Sequence, residues 1–137
     1  MIAVADTSFI VAYINKRDAY HLACVDVFSN AHSIVVPQTV LAEVAYLIQQ
    51  RLGSQAVAAF LESFESSVFA LTPLETSDLL VSAKTLRDYA DSRIDFVDAT
   101  VMAVAERLGL ATVLTLDRRD FSIYRPRHCQ HFTLLPD

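Results

Sequence analysis

The sequence predicts an α/β protein with a mainly parallel sheet of four to five strands. Short apolar runs of strand length recur along the 137 residues, and longer segments with apolar residues at helical spacing separate them. This alternation is typical of parallel sheets, because parallel strands need a crossover connection that is usually a helix. The length and the 53% hydrophobic composition suit one core, so we expect a single domain over residues 1–137.

The predicted elements follow one another with short connections. Strands are predicted at residues 2–5, 33–36, 67–71, 112–116 and 132–135. Helices are predicted at residues 9–13, 19–28, 40–52, 54–64, 75–89 and 95–108. Hydroxyl side chains are expected to cap two of these helices, Thr7 or Ser8 the first and Thr39 the third. The fifth helix is expected to bury a stripe made of Leu79, Leu80, Ala83 and Leu86.

Composition limits the classes of function and location. A formal net charge of -5 argues against a general electrostatic nucleic-acid binder, but not against an enzyme whose acids hold a metal ion. Cys24 and Cys129 form no CxxC pair, so a reducing compartment is expected. Asp6 interrupts the first apolar run, which excludes a signal peptide, and no run is long enough to cross a membrane. We expect a cytoplasmic protein.

Four acids lie in apolar surroundings, where an unpaired carboxylate is costly. Asp6 and Asp117 each follow a predicted strand, Asp98 opens the helix before the second of those strands, and Glu43 lies one turn into the third helix. Because parallel strands bring their carboxyl ends to one edge, all four can converge on one cleft. Gathered carboxylates repel one another unless a cation joins them, and all-oxygen ligands select Mg²⁺ or Mn²⁺.

Each acid also has a plainer explanation. Asp6 and Asp95 suit helix caps, acids such as Asp98 are ordinary in a first helical turn, and Glu43 suits a solvated helix face. The arginines after Asp117, starting with Arg118 and Arg119, suit either phosphate binding or a solvated surface. Two glycines cannot build a nucleotide-binding loop, and the spacing of the segment 128–131 matches no zinc site.

The pattern resembles PIN-domain ribonucleases of the VapC toxin type. The matching segments are AVADTSFIVA, VVPQTVLAEVAYLI, IDFVDATVMAVAERLG and TVLTLDRRDFSIYRP, in the family's order and across essentially the whole chain. By this resemblance the acidic metal-binding positions of the family are Asp6, Glu43, Asp98 and Asp117. Thr7 or Ser8 matches the small hydroxyl position, Asp95 matches a position that varies and often is not acidic, and Asp120 is taken as structural.

The resemblance implies a three-layer α/β/α domain that cleaves RNA with Mg²⁺ or Mn²⁺. It also implies a homodimer that is inhibited by a VapB-type antitoxin. Two ions held by carboxylates can activate water and stabilise the leaving oxygen of a phosphodiester. Two other hypotheses remain at this point: a phosphoryl-accepting signalling domain, and a binding module of the same fold without catalysis.

Overall fold

The computed structural model describes all residues, 1–137, and contains five strands and seven helices. The strands are β1 (Ile2–Ala5), β2 (Ser33–Pro37), β3 (Phe69–Thr72), β4 (Thr112–Leu114) and β5 (Thr133–Leu135). The helices are α1 (Thr7–Ile14), α2 (His21–Ser29), α3 (Gln38–Leu52), α4 (Ser54–Ser66), α5 (Thr76–Asp88), α6 (Phe96–Leu108) and α7 (Arg118–Ile123). All five strands are parallel, in the order β3-β2-β1-β4-β5, which confirms the predicted fold class.

The sheet order places a topological switch between β1 and β4. The chain proceeds from β1 through β2 to the edge strand β3, then crosses back to β4 and ends at β5. Because parallel crossovers are right-handed, this reversal puts α1–α4 on one face and α5–α7 on the other. The result is a three-layer α/β/α arrangement. Ligands of open parallel sheets bind at the carboxyl ends of the strands beside such a switch.

The centre of the sheet is a short apolar strand. Ala3, Val4 and Ala5 of β1 are fully buried, since neighbouring strands flank β1 on both sides and helices cover both faces. Val4 is paired with Val35 of β2 and Val113 of β4. This register fixes where β1 and β4 end, and therefore where the residues that follow them lie.

The structure corrects several helix boundaries. Asp6, rather than Thr7 or Ser8, caps α1, because its Oδ1 accepts the backbone N–H of Phe9 at 3.2 Å. Thr39 lies inside α3, which begins directly after Pro37 without a side-chain cap. The short helix α7 was not predicted from the sequence, because its six residues are too few to show a helical apolar period.

Of the predicted apolar stripe of α5, only Leu86 packs against the core. Leu79 and Leu80 are 45% and 69% exposed, whereas the residues that face α6 are polar, namely Asp78, Ser82 and Thr85. Asp78 is buried because Arg107 of α6 reaches both of its carboxylate oxygens, with Nε to Oδ1 at 3.0 Å and Nη2 to Oδ2 at 3.0 Å. A bidentate ion pair therefore joins these helices where sequence periodicity favoured leucine packing.

Replacing Arg107 by Met is expected to lower the free energy of unfolding by about 3 kcal/mol, because Asp78 would remain buried without its partner. Urea denaturation followed by circular dichroism measures this loss. The control is Lys84→Met, which removes the exposed pair between Lys84 and Asp88 and is expected to cost below about 1 kcal/mol. Equal losses in the two variants would show that the α5–α6 ion pair adds nothing beyond a surface pair.

Candidate functional site

A cleft of about 440 Å³ opens at the carboxyl ends of β1 and β4. Seven of its lining residues are acids: Asp6, Asp18, Glu43, Asp95, Asp98, Asp117 and Asp120. The other lining residues are Thr7, Ser8, Val11, Leu47, Arg51, Arg93 and Leu116. The structure thus brings the four acids singled out from the sequence, and Asp95, to one cleft.

Asp6 lies at the end of the central strand and is only 5% exposed. Its carboxylate accepts three hydrogen bonds: from Ser8 Oγ at 2.7 Å, from the Phe9 N–H at 3.2 Å and from Thr115 Oγ1 at 2.6 Å. Burial raises the pKa of Asp6 to about 6, although these three donors favour the ionised form. The donors fix the orientation of the carboxylate before any ligand arrives.

Two hydroxyl groups connect the ends of β1 and β4. Thr115 Oγ1 donates to Asp6 and accepts the Asp117 N–H at 2.9 Å, so it joins the first and last acids of the predicted set. Ser8 Oγ, which also donates to Asp6, accepts the Leu116 N–H at 2.9 Å. Ser8 is therefore a positioning group, while Thr7 is buried and its Oγ1 has no hydrogen-bond partner. Thr115 was not predicted from the sequence, where its signal is a hydroxyl inside the apolar run before Asp117.

Asp98 and Asp95 form a reciprocal cap at the start of α6. Asp95 Oδ1 accepts the Asp98 N–H at 2.9 Å, and Asp98 Oδ2 accepts the Asp95 N–H at 3.2 Å. Burial raises the pKa of Asp98 to about 8, and repulsion from Asp95 and Asp6 adds to the rise. Asp98 Oδ1 makes none of these cap contacts, so Asp98 is a helix cap and a candidate ligand at once.

Asp120, for which a structural role is expected from the sequence, lies in the acid cluster. One ligand oxygen from each of Asp98, Asp117 and Asp120 lies within 4.8 Å of the others. Asp120 is 3% exposed, and its Oδ1 has no hydrogen-bond partner. The unpredicted helix α7 explains its position, since Asp117 caps α7 and Asp120 lies in its first turn. An orphaned buried carboxylate oxygen beside two other carboxylates fits a cation-binding site.

Glu43 reaches the cleft from α3, on the same helix face as two other lining residues. Glu43, Leu47 and Arg51 are spaced by four residues, which aligns them along one side of the helix. Thr39 begins this stripe, and its Oγ1 lies 2.6 Å from Oγ1 of the fully buried Thr100 in α6. This hydrogen bond fixes the helix that carries Glu43 against the helix that carries Asp98.

The arginines of the site are not those expected from the sequence. Arg118 Nη1 donates to the carbonyl oxygens of Leu134 at 3.2 Å and Pro136 at 2.9 Å, and Arg118 does not line the cleft. This geometry disfavours the prediction that Arg118 grips phosphate at the acid cluster, because the carbonyl oxygens of Leu134 and Pro136 hold its guanidinium. Arg119 is exposed outside the cleft lining, whereas Arg51 and Arg93 line the cleft. Both were missed because each is isolated in the sequence.

A larger hollow of about 680 Å³ lies beside β5 and has a different chemistry. Arg118, Arg125 and His131 line it together with the single acid Asp137. The segment from His128 to His131 forms no metal cluster: His128 Nε2 instead contacts the carbonyl oxygen of Leu110 at 2.7 Å. Among the concave surfaces, the smaller cleft at the ends of β1 and β4 is therefore the one suited to a hard divalent cation.

Comparison with known proteins identifies the family. The family profile described as PIN domain matches residues 3–125, which is most of the chain. The chain belongs to the PIN domain family. The resemblance seen in the sequence is thereby confirmed, and the parallel sheet with its acidic cleft is the PIN fold of this chain.

Individual relatives of this PIN domain agree with that assignment. The chain is 35% identical to Ribonuclease VapC26 of Mycobacterium tuberculosis over 136 residues, covering 97% of this chain and 99% of the relative. Its structure is similar to the crystal structure of Mycobacterium tuberculosis VapC20, described as a Sarcin-Ricin loop cleaving toxin. That match has a TM-score of 0.79 and 25% identity, and covers 87% of this chain and 92% of that one.

A third relative matches in fold alone. It is VapBC2 from Rickettsia felis bound to a DNA fragment from its promoter, with a TM-score of 0.70 and 17% identity over 98% of this chain and 97% of that one. Separately, none of the helices is long and apolar enough to span a membrane.

The cleft lacks the groups that a phosphoryl-accepting signalling domain needs. Asp6 is followed by Thr7 and Ser8 rather than by a second acid, and no lysine lines the cleft. Such a domain needs adjacent acids after the first strand, an aspartate after the third strand and a lysine after a late strand. The PIN assignment and this lining both disfavour it.

Without divalent metal, the PIN domain is expected to lose stability as the pH rises from 5 to 8. In this window an unfolded carboxyl group has already lost its proton, whereas Asp6 and Asp98 keep theirs until about pH 6 and about pH 8 in the folded state. The raised pKa of each acid therefore stabilises the fold at low pH, and this contribution disappears as the pH passes the folded-state value. Urea denaturation in EDTA at several pH values measures the change.

The variant Asp98→Asn serves as the matched comparison. It should remove the loss between pH 6 and 8 and reduce the loss between pH 5 and 6, where only Asp6 still contributes. The exposed Asp91 is the control, and Asp91→Asn should follow the wild-type curve. If the free energy of unfolding of wild type in EDTA stays level or increases from pH 5 to 8, Asp6 and Asp98 are not buried as protonated carboxyl groups.

Proposed function

We propose that this PIN domain is a metal-dependent endoribonuclease and the toxin of a VapBC-type toxin–antitoxin pair. The observation that carries the proposal is the convergence of carboxylates from the ends of β1 and β4 and from α3, α6 and α7 on one cleft. The nearly full-length similarity to a relative named as a ribonuclease supports RNA as the substrate. The third hypothesis, a non-catalytic binding module, does not explain why several carboxylates are gathered in one cleft at a cost in free energy.

Five acids of the cleft are proposed to hold a divalent metal ion, Mg²⁺ or Mn²⁺: Asp6, Glu43, Asp98, Asp117 and Asp120. The all-oxygen donor set and the orphaned Oδ1 of Asp120 suit a hard cation. When bound, such an ion lowers the pKa of water and neutralises charge on a phosphodiester.

The side chains of this chain prepare the cleft for that ion. Ser8 and Thr115 hold the Asp6 carboxylate in place, and the cap with Asp95 fixes the rotamer of Asp98. Protons on Asp6 and Asp98 compete with metal, because the pKa of each group is raised. Metal affinity therefore increases with pH up to about 8. Asp95, exposed and engaged in the cap, orients Asp98 and is not counted as a primary ligand.

Substituting Asp6 by Asn is expected to reduce RNA cleavage by about a hundredfold or more, because the amide keeps the shape but removes the charge that balances the ion. Cleavage of a fluorescently labelled RNA in Mg²⁺ or Mn²⁺ measures this effect. Glu43→Gln, Asp98→Asn and Asp117→Asn are expected to behave alike. The control is Asp88→Asn, since Asp88 is an exposed acid on α5 outside the cleft.

Calorimetric titration with Mn²⁺ separates loss of metal from loss of fold. Asp6→Asn and Asp120→Asn should bind Mn²⁺ more weakly than wild type while circular dichroism shows an unchanged fold. Cleavage by wild type that persists in excess EDTA, or full activity of Asp6→Asn, refutes the metal-dependent mechanism. Full Mn²⁺ affinity of Asp120→Asn returns Asp120 to a purely structural role.

The proposed protein partner is a VapB-type antitoxin. An apolar groove of about 320 Å³ lies between α1, α2 and α4 and is lined by aromatic side chains that include Tyr13, Phe28 and Phe60. A groove of this kind suits the apolar face of a partner helix. Since the RNA and the antitoxin are both made in the cytoplasm, the cytoplasm is the proposed site of action.

The proposed assembly is a homodimer, and α5 supports it. Leu79 and Leu80 expose the apolar face of α5, because the opposite face is committed to the ion pair with α6. Leu71 of the edge strand β3 is also 50% exposed. A second copy of the chain is the proposed cover of Leu79 and Leu80.

Replacing Leu80 by Asp is expected to convert the protein from dimer to monomer, because a charge in the centre of an apolar interface is not solvated. Light scattering coupled to size exclusion measures the mass. Leu22→Asp is the matched control, since Leu22 is 80% exposed on α2, on the opposite face of the sheet from α5. A wild-type protein that is monomeric, or a Leu80→Asp variant that stays dimeric, excludes this interface.

A further inference from the structure

The cleft is lined by two arginines in addition to its seven acids. Arg51 and Arg93 line the same cavity as the acid cluster, and both are exposed. Neither makes a salt bridge: the ion pairs of the chain involve only Lys84 and Arg107. Both guanidinium groups lie beside seven carboxylates but pair with none of them. They therefore remain available to an anionic ligand.

Each arginine is attached to a fixed part of the cleft wall. Arg51 lies in the last turn of α3, two turns beyond Glu43 on the same helix face, which is about 12 Å along the helix axis. Arg93 lies in the turn before α6, where Ser92 Oγ accepts the Ile94 N–H at 3.2 Å and donates to the Tyr89 carbonyl oxygen at 2.6 Å. Buried Ile94 anchors this turn next to Arg93.

We propose that Arg51 and Arg93 bind the phosphates of the RNA strand that flank the phosphate at the carboxylate cluster. This inference rests on the proposed nuclease function, and it assigns substrate binding to residues that hold no metal. The planar guanidinium group pairs with phosphate oxygens bidentately. RNA must enter a cleft whose acids repel its backbone, so affinity has to come from the arginines and the bound ion.

Arg51→Ala and Arg93→Ala are expected to raise KM for a short single-stranded RNA about tenfold each, with kcat changed less than threefold. The slope of log(kcat/KM) against log salt should become shallower by about 0.7 for each arginine removed. Arg51→Lys and Arg93→Lys should restore the salt slope but only part of KM, because lysine keeps the charge and loses the bidentate geometry. Arg119→Ala is the control, since Arg119 is exposed outside the cleft lining.

Two further measurements distinguish failure of this inference from failure of the nuclease function. Fluorescence anisotropy with the same RNA in Mn²⁺ gives its affinity whether or not cleavage occurs, and the Ala variants should bind about tenfold more weakly. Calorimetry should give them a Mn²⁺ affinity equal to or higher than that of wild type, because a repelling charge is gone. The inference is overturned if the Ala variants keep the KM, RNA affinity and salt slope of wild type. It is also overturned if these variants bind Mn²⁺ more weakly than wild type. Absence of cleavage by wild type refutes the nuclease proposal alone.

Discussion

The arrangement of the cleft depends on a carboxylate buried at the end of the central strand. Asp6 is nearly inaccessible, and it is tolerated there because two hydroxyls and one backbone N–H donate to it. One of these hydroxyls, Thr115 Oγ1, also holds the backbone of Asp117. The register of β1 and β4 is therefore transmitted directly to the spacing of two acids. Changing either strand end by one residue would turn its acid away from the cleft.

The negative charge of the protein is local. Seven carboxylates and two arginines line the cleft, which gives it a formal charge of -5, equal to the formal net charge of the whole chain. The rest of the protein is therefore formally neutral, so it has little long-range attraction for a polyanion. A net charge that excludes a general nucleic-acid binder is thus compatible with a nuclease, because a bound cation reverses the sign of the field where the substrate reacts.

Residues whose environment is set by nearby sequence could be predicted, and residues that depend on distant partners could not. The strands and the four acids were found because apolar runs, and acids at their ends or inside apolar helices, are visible in a short window. The buried polar face of α5 was missed, since Asp78 depends on Arg107, 29 residues away. The position of Asp120 in the acid cluster was missed for a similar reason: only the position of α7 against α6 brings it near Asp98.

The arginines show why a charge run is a poor guide to a binding site. Two of the arginines that follow Asp117 donate to backbone carbonyl oxygens and are therefore not free for a ligand. β5 is an edge strand whose Thr133 N–H and Leu135 carbonyl pair with the β4 side, so the Leu134 and Pro136 carbonyls point outwards, and Arg118 covers both. Arg125 likewise donates to carbonyls at the end of α7. Arg51 and Arg93, which lie 42 residues apart, make no such contact with backbone carbonyls and no salt bridge, so both remain free for a ligand.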